Sequence, residues 1–568
     1  MITKSIKHFL IAGSVCCGCA AALTSCSSML ETDSELVEYE KDNTLNHPTD
    51  TVYSVLGIIN TMQRIADRTV LLGEMRGDLV TTTNEASADL KRLAAFDFSQ
   101  ANKYNKVSDY YAVINNCNYF LAHADTAMVR HEHKIFLTEY AAVKAFRAWT
   151  YLQLVLAYGS VPLVTQPVMT EQQAREAMLQ PRQDIKTVCD YFIADLTPYA
   201  YTDEPNFSGG AYSFLPMRAL LGDLCLWAER YTEAARWYND FLNDKKKPIP
   251  MQQNIAKWQS ASNFNVRPYT GYSSAFLGGT NDEALSFIAM ELIVFNGTVS
   301  ELPNIFNSTS ENNYFFQATP SKTMFQLSAS QDYCIENKSV TPADTIYVPK
   351  VGLLNDNCRG DLRLFANYAL TSLGQQDPYS ENSSQRQTIN KYLTKNVTTY
   401  RSTMVYLRYA EALNRAGYPQ SAMCILKYGL CPDNVKLYVD TVEQKKAGGL
   451  IDFDFNVFTS ATALGVHSRG SGDSFANKRY VLPQPDTQLA TRQDTVDYQI
   501  PLVEDMIIDE MALEGAFEGN RYYDLMRVAL RRGDNAYLAD PISKRNGEVD
   551  AALRSKLMDK ANWYLPLP

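Results

Sequence analysis

Two stretches nearly 200 residues apart repeat one helical design, and that design constrains the fold more than any other feature of the chain. "LPMRALLGDLCLWAERYTEAARWYNDFLN" (Leu215 to Asn243) is a helix rich in small residues, a polar break at Glu229 to Tyr231, and a second helix carrying Ala234, Ala235, Trp237 and Tyr238. "MVYLRYAEALNRAGYPQSAMCILKYGL" (Met404 to Leu430) does the same around Gly417-Tyr418-Pro419. Small residues at a helix crossing let two backbones approach, so both stretches are expected to form antiparallel helical hairpins. Helical periodicity starts at "VYSVLGIINTMQRIAD" and dominates to about residue 245. "YYAVINNCNYFLAHAD" and "FLTEYAAVKAFRAWTYLQLVLAYG" place apolar residues at i, i+3, i+4 and i+7, and the second ends at Gly159 with Pro162 just beyond. A mainly α chain follows.

Between the hairpins the texture changes. Residues 246–400 hold "NVRPYTGYSSAFLGGTND", "ELPNIFNSTSENNYFFQATPSK" and "TSLGQQDPYSENSSQRQT", dense in Gly, Pro, Asn, Ser and aromatic residues. Such a region is loop-rich, and loops on a rigid scaffold are where recognition residues concentrate. "NYFFQ" (Asn313 to Gln317) sets three aromatics beside amides, which suits sugar rings or extended backbones; equally, Phe315 and Phe316 can be core.

The first 25 residues form a different unit. Lys4 and Lys7 precede an uncharged apolar run from Phe9 to Leu23, the layout of an export signal. That run is shorter than the roughly 20 residues that a membrane-spanning helix needs. Its exit, Leu23-Thr24-Ser25-Cys26, resembles the bacterial lipobox, in which the Cys is acylated and becomes the first mature residue; the alternative is an ordinary signal peptide with an accidental Cys. Each buried CH2 of an acyl chain contributes about 0.8 kcal/mol, so two or more chains anchor firmly. The polar leader after Cys26 has the composition of a flexible tether.

Loss of residues 1–25 takes the formal charge from −10 to −12, which argues against a nucleic-acid partner. A hydrophobic fraction of 46% and a charged fraction of 20% describe a globular chain. Seven cysteines follow Cys26 (Cys117, Cys189, Cys225, Cys334, Cys358, Cys424, Cys431) with no CxxC pair, and they read as small buried residues rather than a disulfide framework. No HExxH, GxxxxGK[ST], GxSxG or GxGxxG occurs, and no cofactor or metal is expected. "HEH" (His131 to His133) reads as a solvated helix surface, since i, i+2 spacing separates the rings. "GVHSRGSGD" (Gly465 to Asp473) gathers His467, Ser468, Arg469 and Asp473, but a nucleophile, base and acid must converge from different elements, so a turn held by Arg469 is the reading. The RGD tripeptides at Arg76, Arg359 and Arg532 read as turn chemistry.

The most specific stretch is "EDMIIDEMALEGAFEGNRYYDLMRVALRRGD" (Glu504 to Asp534). A first helix runs to about Phe517, Glu518-Gly519 breaks it, and Asn520 can cap a second helix from Arg521. Arg521, Asp524 and Arg527 are spaced three apart on one face, flanked by apolar residues, and need buried partners that Glu514 or Glu518 can supply. This stretch resembles the signature of the RagB/SusD family. "AAVKAFRAWTYLQLVLAYGSVPLVTQPV", "GDLRL" (Gly360 to Leu364), "YLRYAEALNRAG" and the terminal "WYLPLP" look like the same family, in family order. The hairpins resemble tetratricopeptide units, with two unrelated helical hairpins as the alternative.

The resemblance implies a SusD-like fold: tetratricopeptide-like hairpins as a scaffold, with a loop-rich, aromatic-rich remainder on the ligand side. It implies an outer-membrane lipoprotein, facing outward, that captures oligosaccharides or peptides for a SusC-type TonB-dependent transporter. The expected organisation is a signal peptide (1–25), a tether (26–50), an N-terminal helical region (51–245), a variable region (246–400) and a C-terminal helical region (401–568). Glu514, Glu518, Arg521, Asp524 and Arg527 are expected to be structural. Ligand contacts are expected from Arg76 and Asp78 in "GEMRGDLVTTTN", unless those two simply pair with each other, and from an aromatic platform of Trp258, Tyr314 and Phe315, or failing that from the loop Tyr269 to Phe276. A surface glycan hydrolase, which needs two carboxylates across a cleft, and a purely structural lid are the competing readings. Replacing Cys26 by Ser should move the protein from the membrane fraction to the soluble fraction with its melting curve unchanged. Retention of that variant on membranes in high salt would overturn the lipid anchor.

Overall fold

The computed structural model describes residues 48–130, 133–134, 136–205, 214–251, 256–258, 268–270, 283–290, 297–307, 316–337, 341, 344–348, 360–364, 368–372, 375–376, 386–389, 391–392, 396–472 and 480–567. Cys26 and the segment before Pro48 lie outside them. Helices α1 (Pro48–Glu74), α2 (Val107–His123), α3 (Leu137–Tyr158), α4 (Ile185–Leu196), α5 (Met217–Trp227) and α6 (Tyr231–Leu242) each pack against the next. The series continues from α6 to α7 (Ser402–Arg415) and from α7 to α8 (Arg492–Glu514), so the chain leaves the stack after α6 and rejoins it about 160 residues later. Stacked hairpins of this kind bury a continuous seam that no single hairpin could bury alone. One apolar core therefore runs from Val55 to Leu565.

Local sequence explains the close crossings. Almost all of α3 from Ala141 to Tyr158 is buried, which its alanines permit on the narrow faces. In the α5/α6 hairpin a Cβ at Gly222 would lie 2.4 Å from the Tyr238 ring, so the ring occupies the space that a side chain would need. Tyr238 also donates its hydroxyl to Asp223 Oδ1 at 2.7 Å. The second hairpin departs from the expected form. After α7, Pro419–Met423 makes one α turn and Cys424–Tyr428 widens into π geometry, ended by Gly429 at φ 83°. Cys117, Cys189, Cys225, Cys334, Cys424 and Cys431 are free and buried, as expected of small core residues; Cys358 lies outside the described residues. His133 is not on a helix: His133–Lys134 pairs antiparallel with Val129–Arg130.

The described parts of the middle region are short antiparallel ribbons. Strand β1 (Ala284–Ala289) pairs with β2 (Asn396–Arg401) across a register shift at Thr398 to Arg401, and β2 runs directly into α7. Val80–Thr82 pairs with Ala318–Pro320, tying the end of the first helical layer to the middle.

What joins middle to scaffold is a ladder of buried charge on the signature stretch. Glu510, Glu514 and Glu518 recur every four residues and meet cations from three separate segments. Arg363 donates to Glu510 at 2.6 Å, to Glu514 at 2.9 Å and to Asp361 Oδ2 at 2.7 Å, with all four side chains fully buried. Arg401, at the end of β2, donates to Glu514 at 2.7 Å, Glu518 at 2.7 Å and Glu283 at 2.9 Å. Arg469 donates to Glu283 at 3.1 Å, and Lys391 pairs with Glu518. Burial alone would raise the Glu510 carboxyl, but Arg363 and His467 beside it pull it down to about 2. His467 Nδ1 lies 2.8 Å from Glu510 Oε2, and its ring stacks on Tyr480 at 3.7 Å. The stretch from Gly465 to Gly472 is thus a core element, with Ser468–Ser471 a short buried helix, and Asp473 lies outside the described residues.

Helix α9 (Arg521–Arg532) begins where the sequence placed it, but Asn520 does not cap it. Its backbone is already helical, and its Oδ1 accepts from Arg408 Nη2 at 3.1 Å. Arg521 takes neither of its expected glutamate partners. Its Nε and Nη2 donate to Asp78 at 2.7 and 3.0 Å, across more than 400 residues. Arg527 donates to Glu411 at 2.8 and 2.5 Å and to Asp524 at 3.0 Å. The turn before α9 holds Gly519 at φ +89°, and a Cβ on Gly73 would sit 1.7 Å from the Gly519 carbonyl oxygen. Only paired glycines allow α1 and the signature turn this close. Gly519 N–H donates to Glu74 Oε1 at 2.8 Å, while Oε2 has no hydrogen-bond partner among the described residues, and burial pushes the Glu74 carboxyl up to about 8.

Arg521→Ala strands the fully buried Asp78 and should cost roughly 3–5 kcal/mol, read as a fall in the denaturation midpoint. Glu74 has the opposite sign from the ladder. Its folded value lies above its ordinary 4.5, so its contribution is complete below that pH and is lost as pH rises to about 8. Glu74→Gln should therefore match the parent near pH 4 and melt progressively higher than it from pH 5 to 9.

Candidate functional site

Helix α6 has two faces of different chemistry. Ala234, Ala235, Tyr238, Asn239 and Leu242 are buried against α5 and α7. Glu233, Arg236, Trp237 and Asp240, spaced i, i+3, i+4 and i+7, share the outward side. That side walls an open groove of about 1060 Å³, completed by the end of α4, the turn to Tyr201, Tyr418 and the Lys446 to Leu450 segment. Its volume is that of a ligand site.

The floor is aromatic. Tyr201 is 70% exposed, and its ring lies 6.3 Å from Trp237 at 47°. Arg218 Cζ lies 5.5 Å from its ring centroid, and partial burial, with the Asp240 carboxylate beside it, raises the phenol above its ordinary value. Arg218 in turn donates to the Asp240 carbonyl at 2.8 Å and pairs with Asp244. Asn239 Nδ2 donates to Leu450 O at 3.2 Å and to Tyr409 Oη at 3.3 Å, which fixes the Gly449-Leu450 wall against α6. Tyr418 donates to the Lys446 carbonyl at 3.2 Å. The platform is therefore preorganised, and it offers aromatic faces beside amide, hydroxyl, guanidinium and carboxylate groups.

The residues expected to touch ligand from the N-terminal half do not line it. Arg76 and Asp78 are both fully buried. Arg76 donates to Leu72 O at 2.7 Å, Trp563 O at 2.9 Å and Tyr523 Oη at 3.0 Å, and stacks 4.2 Å from the Tyr522 ring. Asp78 is spent on Arg521. Neither pairs with the other, and neither reaches solvent, so both are corrected from ligand contacts to core. Trp258 lies in a strand, Ala256–Trp258, paired with Pro268–Thr270, but its side chain lies outside the described residues, as do Tyr314 and Phe315. Glu514, Glu518, Arg521, Asp524 and Arg527 are not gathered at one point: Glu514 and Glu518 meet Arg401, Arg521 meets Asp78, and Arg527 meets Glu411 and Asp524. Sequence reading noted Trp237 only as part of a hairpin. The available signal was a tryptophan on the polar side of an amphipathic helix, just before a tyrosine in "PYAYTDEP" would meet it in space.

A second recess, of about 90 Å³, lies under the signature turn between Trp149, Asp223, Arg408, Asp524 and Arg527. Its charges are matched internally: Arg408 donates to Asp223 at 2.8 Å, and Tyr400 donates to the same carboxylate at 2.7 Å. It has room for a few waters rather than for a sugar ring. Among the described residues, no group of three or more His, Cys, Asp or Glu side chains could hold a metal ion.

No family model matches the sequence, and no curated protein matches it either. Solved structures do match. A SusD superfamily protein of Bacteroides thetaiotaomicron superposes with a TM-score of 0.56 at 14% identity, covering 85% of this chain and 89% of its own. A SusD superfamily protein of Bacteroides vulgatus gives 0.56 at 14% identity, covering 92% and 96%. Another from Bacteroides vulgatus, described as a SusD-like carbohydrate binding protein, gives 0.52 at 15% identity, covering 85% and 83%. At such identities the likeness is one of fold.

Proposed function

We propose that this chain, which has the SusD-like fold, is a non-catalytic nutrient-binding protein that captures oligosaccharide on the groove of Tyr201 and Trp237. The observation that carries the reading is that platform: two aromatic rings on a rigid helical floor, one of them largely exposed, bordered by groups that hydrogen-bond vicinal hydroxyls. The carbohydrate-binding description of a structural neighbour supports the ligand class. In this reading Cys26 carries the lipid anchor, the body faces outward from the outer membrane on its tether, and bound ligand passes to a SusC-type TonB-dependent transporter. Trp258, Tyr314 and Phe315 remain candidates for a second platform in the middle region.

The hydrolase reading is less well served by the groove. A glycosidase needs one carboxyl held protonated and a second held free across the cleft. The two carboxylates that line the groove are both engaged, Glu233 by Arg230 at 2.9 and 2.6 Å and Asp240 by Arg218 at 3.4 Å. Titration with a panel of oligosaccharides and peptides, alongside assay for released reducing ends, tests the proposal. Binding without turnover is expected. Tyr201→Ala combined with Trp237→Ala should weaken oligosaccharide binding more than tenfold, about 1.4 kcal/mol, and Tyr201→Ala alone should leave the melting temperature in place. Full binding by the double variant, with loss in a Trp258, Tyr314 and Phe315 triple alanine variant, would move the site to the middle region.

A further inference from the structure

The charges around the groove are not balanced in the way its composition suggests. Glu233 and Asp240 line it, and each is paired with an arginine that a second acid shares: Arg230 also reaches Asp190 at 3.4 Å, and Arg218 also holds Asp244. Just beyond Tyr201, Asp203 is held by Lys246 at 2.8 Å. Two cations on the lining are in a different state. Arg236, one residue before Trp237 on the same helix, and Lys446, on the opposite wall beside Tyr418, are both exposed and form no ion pair among the described residues. The lining itself carries three cations, Arg230, Arg236 and Lys446, against two acids, Glu233 and Asp240, and the two charges left uncommitted are both positive.

We infer that the groove selects anionic oligosaccharides: a sugar ring stacks on Tyr201 and Trp237 while its carboxylate or sulfate lies between Arg236 and Lys446. The inference rests on the groove being the ligand site. A planar guanidinium offers a fork of donors to a carboxylate or sulfate, and the lysine on the facing wall adds a mobile second charge. Neither cation has to give up a protein partner to bind, so the anion is not competing with an internal carboxylate.

Calorimetric titration of the full mature chain with a uronic-acid trisaccharide, a sulfated trisaccharide and a neutral trisaccharide of the same linkage tests this. At least one anionic probe should bind tenfold more tightly than the neutral one, and that margin should shrink between 50 and 500 mM salt. Arg236→Ala with Lys446→Ala should abolish the margin and leave the melting temperature unchanged. Which of the two anionic probes binds identifies the substituent. Neutral binding equal to both anionic probes, lost in the Tyr201 and Trp237 double variant, would overturn the charge selection and leave the groove standing. Anionic binding that survives the Arg236 and Lys446 double variant would also overturn it. Binding of all probes that survives the Tyr201 and Trp237 double variant would overturn the groove itself.

Discussion

The buried glutamate ladder of Glu510, Glu514 and Glu518 is the constraint on which the rest of the structure depends. A carboxylate in a core is tolerated only when cations and donors surround it, and removing one partner leaves an uncompensated charge that costs several kcal/mol. Here the cations arrive from segments that have no other common reason to meet: Arg363 from a loop of the middle region, Arg401 from the end of β2, and Arg469, 3.5 Å from Glu514, from a short helix between α7 and α8. Satisfying three acids at once fixes the positions of three chain excursions relative to α8. The ladder thereby does by electrostatic matching what a larger apolar interface would do by area.

The same logic extends to the first helix. Asp78 needs Arg521, Glu74 needs the Gly519 N–H, and Gly73 needs Gly519 to be a glycine. These contacts bind the start of the described chain to its last third, and they explain why one apolar core serves both helical regions. Glu74 is the exception within the set, since it has a hydrogen-bond donor but no ion pair among the described residues, and burial raises its carboxyl to about 8 despite Lys391 nearby. It makes the joint between α1 and the signature turn more stable in mild acid than in alkali, while the ladder itself weakens only in strong acid.

A scaffold locked from within leaves its outer helix faces free for recognition. The inward side of α6 is taken up by the hairpin and by Asn239 at the Leu450 wall. Its outward side carries Trp237 and Arg236 at fixed separation because the helix beneath them cannot shift. The Tyr201 ring lies against Arg218 and Trp237 before any ligand arrives, which reduces the ordering left to be done on binding.

The amino-acid sequence by itself determined the helical periods, the first hairpin with its small crossing residues, the start of α9 at Arg521, and the need of the signature charges for buried partners. All of these are set by neighbours within a few positions, where spacing translates directly into a helix face. It could not show that Arg521 would choose Asp78 over Glu514, that Arg76 and Asp78 would be core, or that His467 and Arg469 would join the ladder. A long side chain in a run such as "GEMRGD" reads as a surface group, because nothing local reveals the acceptors that arrive from more than 400 residues away. The groove is the same case in reverse: Trp237 and Tyr201 each look ordinary in sequence, and only the packing of α4 against α5 and α6 against α7 brings them to one floor. Which charges are already paired, and so which remain for a ligand, is a property of three-dimensional proximity alone.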